Sequence, residues 1–178
     1  MISNEYGFNF VEIPHSGTEL FLDIFLKSNS QCKISDEKLD SYIEYHTMCI
    51  VKSPYLRASH IYRNGNKLRK ENDLKTQSFV SYFENNLNKW DSLDDDIFYP
   101  QYHYIKNESD IQIFKYEELL DNWFSLNEYI SEIGLSTLKY FSEPAIKNWH
   151  DDYKEEGSAE LVEYIFEDDF ENLGYSKL

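Results

Sequence analysis

Three short apolar runs of strand type, each followed by a helical period, predict an α/β fold with a parallel sheet and helices on its faces. The runs are "YGFNFVEI" (6–13), "TMCIVK" (47–52) and "DIQIFKY" (110–116). At 178 residues the chain is long enough to bury a sizeable core. No Pro/Gly/Ser linker, repeat or low-complexity tract divides it, so residues 1–178 are expected to form a single domain.

Taken in order, the first run breaks at Pro14 into a small-residue turn, "PHSGT", and re-forms as a helix through about Lys27. The second run is continuous rather than alternating and ends in Ser-Pro, which suits a buried parallel strand. "PYLRASHIYRNG" then opens with proline at a first helical position and is expected to close at Asn64-Gly65. The third run alternates. After it Leu119, Trp123, Leu126, Ile130 and Ile133 follow at helical spacing, with Gly134 as the stop. Near the C-terminus Val162, Phe166 and Phe170 step by four beside Leu161 and Ile165, predicting one more helix.

Composition narrows the function. Asp and Glu number 33 against 17 Lys and Arg, a net charge of −16, with pI near 4.6. Such a charge repels nucleic acids and anionic membrane surfaces, so neither is an expected partner. No run approaches the ~18 apolar residues of a membrane span, and "MISNEYGFNF" opens without a basic-then-apolar signal. The expectation is a soluble cytoplasmic protein. Cys32 and Cys49 stand apart without metal-ligand spacing, reading as buried free thiols, and no metal site is expected.

Two stretches could hold an anion. In the first, Ser16, Gly17 and Thr18 lie between strand and helix, where Gly17 permits close approach and the helix N-terminus offers free N–H groups. A plain turn capped by Ser16 or Thr18 has the same sequence signature. The second is "VKSPYLRASHIYR" (51–63), with Lys52 at a strand end and Arg57, His60 and Arg63 following on or near one helix. Residues 51–75 hold seven basic and two acidic side chains, net +5, leaving −21 for the rest. That is the electrostatics capture of a small polyanion needs, or else a solvated basic helix pairing with surface acids.

Read together, these stretches resemble the sulfotransferases that use 3′-phosphoadenosine-5′-phosphosulfate, especially the carbohydrate-type members. "IPHSGTEL" resembles their 5′-phosphosulfate loop, and "IVKSPYLRASHIYR" their 3′-phosphate segment of the form V-R-N-P-Y-x-R-x-x-S-x-Y-R. "YPQYHYI", "IQIFKYEELLDNW" and "LVEYIFEDDFENLGY" are similar to later family stretches, in the same order. The resemblance implies a P-loop-like three-layer fold with a small central parallel sheet. It also implies sulfuryl transfer to a hydroxyl acceptor, a carbohydrate.

Carried over by position, Ser16, Gly17 and Thr18 would hold the 5′-phosphosulfate, and Lys52, with Ser59 or His60, the 3′-phosphate. His15 replaces a lysine that stabilises the leaving phosphate, and a histidine carries full charge only below about pH 6.5. Lys52 in place of arginine loses the bidentate fork. Glu19 adds a carboxylate beside the anion loop. The stretch "SNSQCKISDEKL", where carbohydrate-type members often carry their base, has no histidine. His46 and His103 are left as candidates for the base. His150 sits among acids and reads as surface. The alternative from another class is a degenerate, non-catalytic member acting as a binding module. A P-loop kinase is disfavoured, since no Gly-Lys-[Ser/Thr] or paired aspartates for Mg²⁺ occur.

Overall fold

A computed structural model describes residues 2–4, 6–29, 33, 45–87, 96–121, 123–137 and 148–178. Cys32, Trp90 and most of the 28–39 stretch lie outside the described residues. Contacts group the chain into two compact units, 1–52 with 104–143 and 53–103 with 144–178. Neither is a contiguous segment, so no linker marks them in the sequence.

The first unit is α/β, with a four-stranded, mostly parallel sheet in the order β1-β2-β3-β4. The strands are β1 (Ile2–Ser3), β2 (Phe8–Val11), β3 (His46–Val51) and β4 (Ile111–Lys115). The three expected strands are present and mutually parallel, with Phe10 opposite Met48 and Cys49 opposite Ile113. The two-residue β1, too short to show a period, adds antiparallel to β2. Central β3 is buried from Thr47 to Val51, which is why its sequence does not alternate.

Helix α1 (Thr18–Ser28) is fixed to β2 by ring stacking. Phe10 and Phe21 lie 4.4 Å apart, and Phe8 and Phe25 5.5 Å. All four rings are fully buried, each contributing about 1.5–3 kcal/mol. Asn29 closes the helix by exchanging two hydrogen bonds with the backbone of Ser136.

The helix expected over 119–133 is two, α5 (Tyr116–Asp121) and α6 (Phe124–Glu132). The chain leaves the helical basin at Trp123, φ −83° and ψ 10°. Gly134, at φ +79°, ends α6 as expected.

The second unit is helical: α2 (Pro54–Glu71), α3 (Phe79–Leu87), α4 (Gln101–Ile105, the unit boundary falling inside it), α7 (Ser158–Ile165) and α8 (Glu167–Leu173). Short 3-10 turns lie at Asp96–Phe98 and Trp149–Tyr153. Its core is aromatic, with Tyr55, Phe79, Tyr82, Phe83, Phe98, Phe166 and Phe170 all buried.

Two expectations are corrected here. Asn64-Gly65 does not end α2, which runs on to Glu71. Gly65 is where Tyr82 packs onto the helix, since a Cβ there would lie 2.1 Å from the Tyr82 hydroxyl. The C-terminal helix is interrupted at Phe166, φ −110° and ψ 31°. The bend lets α8 turn Phe170 edge-on to Tyr55 and direct Asp169 at the start of α4.

Candidate anion-binding site

The turn after β2 is built by its own side chains. Ser16 and Thr18 both donate to the Ile13 carbonyl, at 2.8 and 3.0 Å, and their hydroxyls lie 2.8 Å apart. Both residues are buried. Their oxygens therefore shape the loop rather than point outward. His15 takes φ +62° and Gly17 φ +103°. Histidine is among the few residues that enter the left-handed region with any frequency, and Gly17 is required there.

The turn leads into α1, whose first N–H groups have no partner within the helix and give that end partial positive charge. Of the turn's members, Pro14 and His15 are the half-buried ones and so the approachable ones.

Lys52 follows β3 directly and is 1% exposed. Its Nζ stands 4.1 Å from the centroid of Tyr116, the residue that follows β4. That ring also meets Gly17, where a Cβ would come within 2.6 Å of Cδ2. The segments leaving the carboxyl ends of three parallel strands thus meet on one tyrosine. A desolvated ammonium over such a ring is worth about 2 kcal/mol.

The remaining basic segment is largely engaged within the second unit. Buried Arg57 donates to the carbonyls of Tyr99 (2.8 Å) and Ile97 (3.0 Å) and lies over Phe166. Arg63 Nε pairs with Asp152 Oδ2 at 2.7 Å, and Ser59 Oγ donates to the same oxygen. A carboxylate of the protein thus occupies the donors of Ser59 and Arg63. His60 is half-buried on the same helix.

His46 opens β3 at its exposed, amino end, edge-on to Tyr129. Lys52 lies six residue steps along from it, about 20 Å. His103 is exposed on α4, stacked on Tyr99 at 4.7 Å. His150 is exposed and stacks on Trp149. Glu19 lies in α1.

Three residues that sequence reasoning passed over organise these regions: Tyr116, Asp152 and Asp169. Asp169 is fully buried; its carboxylate accepts from the Tyr102 N–H at 2.8 Å and from Gln101 Nε2 at 3.2 Å. Burial raises its pKa, offset in part by those hydrogen bonds and by Arg57. The "DDF" of its stretch hinted at Asp169, whereas nothing local distinguishes Tyr116 or Asp152 among 15 tyrosines and 33 acids. Among the described residues no group of His, Cys, Asp and Glu could hold a metal ion, and no helix is long and apolar enough to cross a membrane. No family model matches the chain, and no curated protein or solved structure matches it significantly.

Proposed function

We propose that the first unit is the anion-binding part of a sulfotransferase-like protein with a P-loop-like sheet, which takes the phosphate groups of 3′-phosphoadenosine-5′-phosphosulfate. The observation that carries this reading is the meeting of the Ser16–Thr18 turn and Lys52 on the ring of Tyr116. Carboxyl ends of parallel strands are where open α/β sheets hold ligands. A helix N-terminus and a low-dielectric lysine are both suited to an anion.

Sulfuryl transfer needs positive groups where charge grows on the leaving phosphate, and a base for the acceptor proton. His15, approachable and next to the α1 N-terminus, takes the first role in its protonated form. Lys52, over the Tyr116 ring that also meets Gly17, is the second cationic group. His46, some 20 Å along β3, is too far from Lys52 to serve as base there. The acceptor class, a carbohydrate hydroxyl, rests on the family resemblance alone.

The test is thermal melting of the full chain with 3′-phosphoadenosine-5′-phosphate. At a hundredfold excess over Kd, a ligand of the native state adds about 2.7 kcal/mol, a rise of several degrees. Lys52→Met, which keeps the stem in its apolar setting, should melt cooperatively and lose the response. No rise for the unaltered chain at millimolar nucleotide rejects the reading. His15→Ala should abolish sulfuryl transfer while melting normally, and unchanged transfer rejects the role given to His15.

One observation favours the second reading, a non-catalytic member acting through contacts. Asp152 already occupies Ser59, a group that the resemblance assigns to the nucleotide, together with the neighbouring Arg63. A nucleotide-silent melt would support it.

A further inference from the structure

The second unit carries two exposed faces of opposite character, and each has what the other lacks. The first is the end of α2. There Asp73 takes φ +57° and the Leu74 N–H reaches back to the Arg69 carbonyl at 2.8 Å. This is the six-to-one bond of a Schellman ending, which sets Leu74 beside Leu68. Arg69 Nε donates to the Lys75 carbonyl and ties the following residues down. Both leucines are exposed, Leu68 58% and Leu74 53%. Lys67, Lys70 and Lys75 flank them, also exposed, and outnumber the exposed acids Glu71, which pairs with Lys67 at 4.0 Å, and Asp73.

The second face is the α7–α8 junction. From Glu160 to Glu171 the chain has six acidic residues and no basic one. Tyr164 is 77% exposed there. Beside it opens a cavity of about 280 Å³ lined by Pro100, Tyr164, Ile165, Glu167 and Asp168. Its lining joins the side chains of Pro100, Tyr164 and Ile165 to the carboxylates of Glu167 and Asp168, the charge counterpart of leucines flanked by lysines.

We propose that the leucine–lysine tip of α2 docks into the Tyr164 cavity of a second copy of this chain, a head-to-tail contact. Because tip and cavity are different surfaces, the contact is heterologous and can extend to further copies. The net charge of −16 per chain opposes any association. At about 0.1 M salt, however, the Debye length is about 10 Å, so distant charges are screened while lysine–carboxylate contacts persist. Association should therefore be strongest at intermediate salt. It should weaken near 0.01 M, where a Debye length of about 30 Å lets the whole-chain repulsion act, and near 1 M, where about 3 Å also screens the contact pairs.

Sedimentation of the full chain at rising concentration across these salts tests the proposal. Two variants locate the contact: Leu68→Asn/Leu74→Asn removes the tip, and Glu167→Lys/Asp168→Lys reverses the cavity. All four positions are exposed, and far-UV melts check that each variant folds. Each alone should associate about tenfold or more weakly. A one-to-one mixture should form dimers and nothing larger, because only one intact tip and one intact cavity remain per pair. A monomer at every salt up to about 1 mM chain, or a mixture that stays monomeric, overturns the proposal. So does self-association unaffected by either variant. The nucleotide-binding reading concerns the first unit and stands or falls separately.

Discussion

Replacing Gly17 with alanine separates two explanations of why a glycine is there. If Gly17 exists to admit a ligand, a methyl group should cost the folded chain only its backbone strain. The structure instead puts Tyr116 Cδ2 2.6 Å and Cε2 3.1 Å from the new Cβ, inside any relaxed carbon–carbon contact. The ring is 2% exposed and has Lys52 on its face, so it has little room to retreat. Strain at φ +103° accounts for about 1–3 kcal/mol, and overpacking for a further ~1–3 kcal/mol. Alanine also restricts the unfolded chain, which returns about 0.4–1 kcal/mol. Gly17→Ala should therefore destabilise by roughly 1–6 kcal/mol. Urea denaturation of the four chains of a double-mutant cycle with Tyr116→Leu reads the two terms apart. In the leucine background only the backbone part should remain, a coupling of about 1–3 kcal/mol. An equal penalty in both backgrounds would refute the contact, and with it the convergence of the turn and Lys52 on Tyr116.

Two further predictions concern buried titratable groups. Burial holds the Asp169 carboxyl above its ordinary 3.8, so the folded chain binds that proton more tightly than the unfolded one. The stability this confers is complete below about pH 3.8 and is lost as pH rises through the higher folded value. The stability difference between the unaltered chain and Asp169→Asn should accordingly shrink from pH 3 toward neutrality in urea titrations. A difference that grows with pH would contradict the assigned environment. Burial likewise pushes the Cys49 thiol up to about 12. In a Cys32→Ser chain an aromatic disulfide reagent should react about 10³-fold more slowly than with an ordinary thiol, recovering in denaturant. Fast labelling of the native chain would show that Cys49 is open to solvent.

The strands were legible because their signals are local. "TMCIVK" has no polar alternation, and a strand covered on both faces needs none. The Pro14–Thr18 turn was equally legible, since glycine and proline limit the backbone before any contact is made. What the turn's hydroxyls do was not legible. Ser16 and Thr18 have the composition of an anion loop whether they face a ligand or the Ile13 carbonyl, and only the folded backbone decides.

Helix ends followed the same division. Periodicity joined 161–170 into one helix because it counts residues and does not see Asp169 bonding to Gln101 and Tyr102. It stopped α2 at Asn64-Gly65 because glycine usually ends a helix, whereas here Tyr82 needs its bare surface.

By itself the sequence determined the α/β class, the parallel strands, the acidic surface and the positions of two basic or glycine-bearing segments. All of these follow from short-range periodicity, backbone restriction and summed charge. Only the tertiary structure decided which charges remain available, because pairing is a matter of distance across the chain. It buried Arg57 on two carbonyls and gave Arg63 and Ser59 to Asp152, 89 and 93 residues away in sequence. It also brought Lys52 and Gly17 to a tyrosine that neither segment announces.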